Sequence, residues 1–465
     1  MMTAEKPLRI SCPGASSGFW WRLILAAGFL LTVLGAGPRL AGASEALPSI
    51  EGPLTMERAV ELALEHSRRI KAAIADERAM RSMRGEALSG FFPQLSANGY
   101  LVKQNMMPNV YSSAGDTMAR NFQVFNTNRA QDLNITAMWP IFSGGKTYYG
   151  TKAAGARAES ALQMLRGTET EVAMQTRLDY ISAVREQEYA RVTGDLLRQT
   201  EERLRVTREE FDAGKVARFN VLRDEAELAN VIQMDTMARN QSQLALIALK
   251  TTMGVDLASS VTLAEPLQYV PIAVSVDEGV RQALENNPDV RAAAKQLEAV
   301  GAEVRAALGR YLPEVSATWM YDWQQIRMRD ESPTRPEGYS VGLVITIPLF
   351  DGFMRESSVA VERAKRDKAQ ESLVQARQQV AKEVNQAALM LAAADKNVEA
   401  SRKGLEQSEE QFRIVQERYA NGRGIQLEVL DAQVTLTRAR VNVVSALADH
   451  QTARAMWLKA TGRVR

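Results

Sequence analysis

Few residues in this 465-residue chain are placed to do covalent chemistry. Its two histidines, His66 and His450, both fall in helix-favouring stretches and read as surface residues. Its one cysteine is Cys12. No histidine has the setting of a base for a serine or cysteine nucleophile, and no glycine-rich loop with a lysine is shaped to cradle phosphate. No metal-ligand cluster is legible either. No catalytic, cofactor-binding or metal-binding residue is therefore expected, and an enzyme is not. Lysine and arginine number 57 against 55 acidic residues, for a net charge of +2. That balance carries no electrostatic footprint for nucleic acid. What is left is non-covalent chemistry: fixed carboxylates acting on ions, and side chains acting on partners.

The elements that would position such groups begin with an export signal. Lys6, Arg9 and Arg22 precede an apolar run at residues 23–36. That run is too short to span a bilayer as a helix. Ala41 and Ala43 follow as small residues at a plausible cleavage site, so residues 1–43 are expected to be a signal peptide. The positive region is long, which leaves a downstream start open. Cleavage would remove Cys12 and leave a thiol-free chain, suited to an oxidising compartment. No later window holds eighteen consecutive apolar residues, so no membrane-spanning helix is expected.

The remainder reads as a duplication. Val60, Ala63 and Leu64 recur as Val280, Ala283 and Leu284, and Phe92-Pro93 recurs as Leu312-Pro313, both at a shift of 220 residues. Pro140, Phe142, Gly144, Gly214 and Gly254 recur as Pro348, Phe350, Gly352, Gly422 and Gly462, at a shift of 208. The expected domains are a first repeat over 53–254, a linker over 255–274 and a second repeat over 275–462. Proline-free stretches rich in Ala, Glu, Arg, Gln and Leu favour long helices. Seven-residue spacing of Ala190, Leu197, Leu204 and Phe211, and of Val384, Leu391, Val398, Leu405, Phe412 and Tyr419, predicts supercoiled rods. A continuous helix from Gly144 to Phe211 would reach about 100 Å at 1.5 Å per residue. Gly214 and Gly422 mark where each rod reverses, with Asn220 or a neighbour expected to cap the returning helix.

Four segments alternate with period two. Leu95, Ala97 and Leu101 open the first, and Leu133, Ile135, Ala137 and Trp139 share a face of the second. Val315, Ala317, Trp319, Tyr321 and Trp323 share a face of the third, and Val341, Leu343, Ile345 and Ile347 of the fourth. Their length suits tilted transmembrane strands, although a soluble half-buried sheet alternates in the same way. Four strands cannot close a barrel, so transmembrane strands would require oligomers; a trimer would supply twelve.

Taken together, the signal, the repeat, the paired strands and the hairpins resemble the TolC-like outer-membrane efflux family over about residues 53–462. The motifs that carry the resemblance are Phe92-Pro93, the segment from Pro140 to Gly144, and the tips at Gly214 and Gly422. The resemblance implies an α+β membrane protein: a homotrimer with a 12-stranded barrel in the outer membrane, built of four strands per protomer, and a coiled-coil α-helical tunnel crossing the periplasm. It further implies a passive exit duct for efflux or type I secretion, whose partners are a periplasmic adaptor and an inner-membrane transporter. Loops at 105–131 and 325–339 would face the exterior. The chain ends three residues after Gly462, so the belt around the tunnel's middle is expected to be small.

By the same resemblance, Glu428 and Asp431 fall where the family places acidic rings in the narrowed lumen; ordinary solvated helix charge is the alternative. Tyr419 matches a tyrosine that holds the closed tip. The family's arginine at that lock falls on Gly424 here, its aspartate partner on Asn220, and a preceding threonine on Phe219. Arg218 and Arg423 are the substitutes within reach in sequence. Val216, Ala217, Ile425 and Leu427, beside Gly214, Gly422 and Gly424, are candidate adaptor contacts or else simple turn packing. The rival reading of the whole chain is a periplasmic coiled-coil adaptor or scaffold.

Overall fold

The computed structural model describes residues 48–49, 52–103, 127–328 and 337–462. The expected signal peptide, Cys12 and the centres of the two expected exterior loops lie outside the described residues. From residue 48 onward the chain forms one compact unit.

The first half runs β1 (Gly52–Leu54), α1 (Met56–His66), α2 (Arg68–Ser89), β2 (Gln94–Lys103), β3 (Thr127–Ser143), α3 (Lys146–Asp212) and α4 (Arg218–Met253). The second runs β4 (Val261–Leu263), α5 (Val276–Asn286), α6 (Pro288–Leu308), a 3-10 turn at Gly309–Tyr311, β5 (Glu314–Met328), β6 (Glu337–Thr346), α7 (Met354–Ala420) and α8 (Gln426–Ala460). The two halves thus follow one order of elements.

Helices α3 and α7 each have 67 residues, about 100 Å of helix at 1.5 Å per residue. Neither can bury a continuous stripe alone. α4 packs along α3 and α8 along α7, while α2 and α6 pack on α3 and α6 also packs on α7. α8 also packs on α3, which joins the two hairpins. In the second heptad series Val384, Leu391 and Val398 are buried, Leu405 and Phe412 are half-buried, and Tyr419 is exposed. Burial therefore fades towards the tip.

Two apolar clusters anchor the helices away from the tips. One gathers Leu54, Leu62, Tyr180, Leu249 and Met253. Tyr180 Oη donates to the Leu54 carbonyl at 2.9 Å, which ties α3 to β1, and β1 pairs in parallel with β4. The other gathers Ala283, Val384, Leu391 and Trp457. Here Gly279 stands where the first half has Ala59, and Trp457 stands where it has Leu249. A methyl at Gly279 would lie 2.9 Å from the Trp457 ring, so the small residue makes room for the large one.

His450 corrects the surface expectation. It is fully buried on α8, with Nε2 3.1 Å from the Asp395 carboxylate of α7 and its ring 4.6 Å from that of Tyr269. Arg402 lies over the other partner, Tyr269, at 5.5 Å from its centroid. The helix-favouring pattern around His450 carries no information about which neighbour covers it.

The four long strands form one antiparallel sheet in the order β2-β3-β5-β6. The strands reach further than their alternation indicated. β3 starts at Thr127, β5 runs to Met328 and β6 starts at Glu337, inside segments expected to be loops. β3 also continues through Pro140 to Ser143, where the strand was expected to stop. A register shift between Pro140 and Phe142 absorbs the proline, which has no N–H for the ladder. No residue of these four strands with a described side chain is buried on either face. A soluble half-buried sheet would bury every second residue; this one is covered by no other part of the described chain.

The halves of the sheet meet at a glycine pair. Gly144 has φ +63, and a methyl there would collide with the Gly309 carbonyl; one at Gly309 would collide with the Gly144 carbonyl. Backbone touches backbone.

Gly309 has ordinary helical φ of −59. Its change to Ala is therefore a test of contact alone and is expected to cost about 2 kcal/mol by overpacking. Gly214→Ala, at φ +73 with open space around it, should cost about 1 kcal/mol through backbone strain. Denaturant midpoints of the purified variants in detergent would check the difference. A second expectation concerns pH. Burial holds the His450 imidazole below its ordinary value of 6.5, against the pull of Asp395 and with the help of Arg454. The unfolded chain then takes up a proton that the folded one resists, so this contribution is whole above pH 6.5 and is lost as pH falls below it. The thermal midpoint should drop between pH 7 and pH 5, and His450→Gln should remove that part of the drop.

Candidate gate at the hairpin tips

Both tips are built alike. At the first, Gly214 takes φ +73, the Gly214 N–H donates to the Phe211 carbonyl at 2.9 Å and the Lys215 N–H to Glu210 at 2.9 Å. At the second, Gly422 takes φ +70, its N–H donates to Tyr419 at 2.9 Å and the Arg423 N–H to Arg418 at 2.8 Å. This is the left-handed glycine stop that satisfies the last carbonyls of a helix. Above each tip stands the same exposed charge triad. Arg205 pairs with Glu202 and Glu209, and Arg413 pairs with Glu410 and Glu417.

Asn220 does not cap the returning helix. The cap positions are Ala217 and Ile425, and neither supplies a side-chain hydrogen bond. Asn220 lies within the first turn, its N–H on the Ala217 carbonyl at 2.9 Å. The extended backbone at 217 starts the helix, so the polar residue three positions later has no cap to make.

The predicted gate residues are distributed as follows. Glu428 is half-buried in the first turn of α8, and its Oε2 is enclosed without a hydrogen-bond partner. Asp431, one turn on, is exposed. Gly424 has a Glu428 carboxylate oxygen 3.2 Å from where its Cβ would be, and the Tyr419 nitrogen at 3.3 Å. Any larger residue there would press on Glu428. Tyr419 stands at the end of α7; burial, then the carboxylates of Glu210 and Asp224, push its phenol above the ordinary value, so it stays neutral. At the outer surface of the tips, Ala217, Ile425 and Leu427 are exposed and Val216 is half-buried. Phe219, where the resemblance has a threonine, is 69% exposed.

The link between hairpins is one that the sequence reading missed. Asp224 on α4 is fully buried. Thr207 Oγ1 of α3 donates to its Oδ2 at 2.7 Å, and Gln426 Nε2 of α8 donates to the same oxygen at 3.0 Å. Arg203 of α3 brings Nε to 3.3 Å of Oδ1, a charge contact rather than an aligned hydrogen bond. Arg203 also donates to the Gln433 side chain of α8, whose Nε2 donates to Gln199 Oε1 at 3.2 Å. One buried carboxylate and one arginine thus bind both strands of the first hairpin to the returning helix of the second. Neither Arg218 nor Arg423 takes this part. A signal was present: at the shift of 208, Arg203 and Asp224 correspond to Gln411 and Ala432. A charge pair present in one half and absent at the matching positions of the other marks a place where the two halves differ.

Hairpins of this length, reversed by glycine and carrying a β-sheet with neither face covered, define the class: a channel subunit of the outer membrane that extends into the periplasm. The chain belongs to the outer membrane efflux protein family, whose model matches residues 59–255 and 279–463. It is 26% identical to protein CyaE of Bordetella pertussis across 95% of this chain and 94% of that protein. It is 24% identical to the outer membrane efflux protein BepC of Brucella suis, across 76% of this chain and 75% of that protein. The fold is similar to that of the outer membrane channel CmeC of Campylobacter jejuni, with a TM-score of 0.75, 16% identity, and 91% and 90% of the two chains covered. Among the described residues no helix is long and apolar enough to cross a membrane, and no group of side chains could hold a metal ion.

Removing the buried carboxylate strands Arg203, which is only 17% exposed. Asp224→Ala is expected to cost about 3 kcal/mol, the lower end for a broken buried pair because Arg203 keeps some solvent. Arg203→Met added to it should restore part of that loss. A double-mutant cycle from chemical denaturation would measure both.

Proposed function

We propose that three copies of this chain close a 12-stranded barrel in the outer membrane and a helical tunnel below it, forming the passive exit duct of a tripartite efflux or type I secretion assembly. The observation that carries the reading is the sheet: four strands, no covered face and two unpaired edges, continuous with hairpins about 100 Å long. Unpaired edges are costly in lipid, so such strands enter a membrane only in a closed ring. The rival, a periplasmic adaptor or scaffold, would bury one face of its sheet in a soluble core.

In this reading the tips are the inner end of the duct. Glu428 and Asp431, repeated around the ring, supply carboxylates to a narrow lumen and favour cations there. The Arg203–Asp224–Gln426 network is the latch: it fixes the second hairpin against the first, and the tunnel widens when α8 leaves Asp224. It serves in place of an arginine at position 424 and an aspartate at 220. The exposed Ile425, Leu427 and Ala217 dock a periplasmic adaptor, and an inner-membrane transporter behind it supplies energy and selects cargo. The duct itself needs no catalysis.

Planar-bilayer recording tests the whole. The purified protein should insert and give small, cation-preferring steps. Glu428→Ala/Asp431→Ala should lose the cation preference with little change in opening, whereas Asp224→Ala should enlarge or prolong the openings and keep the preference. Folded protein that never inserts would sink the duct and favour the scaffold.

A further inference from the structure

The buried network at the tips leaves part of its arginine unspent. Arg203 donates from Nη1 to Gln433, but its Nε and Nη2 are enclosed and have no hydrogen-bond partner. Nε lies 3.3 Å from Asp224 without being aligned on it. Buried donors in a folded interior are met by protein, by water or by a ligand. Arg203 also lines a groove of about 320 Å³ formed by α3, α4 and α8. That volume falls in the range of small-molecule sites.

Most of the lining is apolar or already bonded. Met234 of α4 is 41% exposed and Val434 of α8 51%. Leu196 and Leu430, both half-buried, join them in the lining. The threonines spend their hydroxyls on their own helices: Thr200 donates to the Leu196 carbonyl and Thr437 to the Gln433 carbonyl, each at 2.9 Å. Besides Arg203, two charged groups face the groove, Arg438 of α8 and Glu227 of α4. Neither has a hydrogen bond or ion pair among the described residues. The unspent N–H donors of two guanidinium groups therefore outnumber the acceptors of one carboxylate. An apolar cleft with surplus guanidinium donors is complementary to an anion carried on an apolar body.

We propose that this groove binds an amphiphilic organic anion, a carboxylate or sulfonate on an apolar body, with its head on Arg203 and Arg438, and that binding loosens the tips. The loosening rests on the latch reading above; the binding does not. Nε is the Arg203 atom that meets Asp224, so a head group that takes it competes with that carboxylate. Asp224 without its arginine is a buried, uncompensated charge, and the closed arrangement loses stability. The body of the ligand acts in the same sense, because it occupies the space between α4 and α8 that closure of the tips narrows. At the shift of 208, Arg203 is matched by Gln411, so the head-group donors occur once per chain. A ligand that favours the released tip must in turn bind that state more tightly.

Titration calorimetry with naphthalene-1-sulfonate tests the site, on the purified protein in lipid nanodiscs with empty nanodiscs as the blank. One site per chain should fill. The neutral naphthalene-1-methanol should bind about tenfold more weakly, and Arg438→Gln should weaken the sulfonate by about the same factor, each losing a charge-assisted contact. Met234→Trp, which fills the groove, should abolish the heat; circular dichroism checks its fold, and Arg438→Gln decides alone if it does not fold. No heat above the blank overturns the site and leaves the groove to water. Equal affinity for the neutral compound overturns the anion, and heat unchanged in the folded variants places the ligand elsewhere. Single-channel recording tests the loosening. The sulfonate should lengthen the openings of the wild type and add nothing in Asp224→Ala, where the latch is already released. Binding without longer openings, where Asp224→Ala does lengthen them, overturns the loosening and leaves the site standing. If Asp224→Ala changes no opening, the latch reading falls and takes the loosening with it, while the calorimetry still decides the site.

Discussion

Every backbone N–H and C=O must find a partner, and in this protein the two ways of meeting that demand set the architecture. A helix satisfies its own backbone but buries only a stripe of side chains. That frees α3 and α7 to run 67 residues each and leaves them dependent on α2, α4, α6 and α8 for packing along their length. A sheet satisfies its backbone only where another strand lies alongside. Within the chain this holds across β2-β3-β5-β6 and fails at both outer edges. In water an open edge is tolerated; in hydrocarbon, with no water to take its place, it is not. The helices therefore complete their backbone bonding within one chain, while the two outer strands do not.

The two halves follow one order of elements, and they depart from each other at particular residues. The tips share a glycine stop, a charge triad and a cap geometry. They differ at Arg203 and Asp224, which the second copy replaces by Gln411 and Ala432. A symmetric pair of hairpins has no preferred partner. A single buried carboxylate, reached by Thr207 from one side and Gln426 from the other, adds a polar link between the hairpins to the packing of α8 on α3.

Compensation runs through the packing as well. Gly279 and Trp457 in one half stand for Ala59 and Leu249 in the other, so a smaller residue on one helix makes room for a larger one on its neighbour. The glycine pair at 144 and 309 has no such freedom, because backbone meets backbone there.

Much of this was fixed by local chemistry and could be read from residues in order. Helix length follows from an unbroken proline-free stretch, strand identity from alternation, and reversal from glycine at 214 and 422, because each depends on neighbours in sequence. Even the proline at 140 failed as a stop only because a bulge in the pairing with β5 absorbed it, which is a property of the partner strand. The rest was decided by contact across long separations. His450 sits on a helix like any other until Asp395 and Tyr269 close over it. Asp224 and Gln426 are 202 positions apart, and no spacing announces their bond. Local pattern specifies which elements form; which side chains are buried together, and hence which carboxylate holds the tips, depends on how those elements are laid side by side.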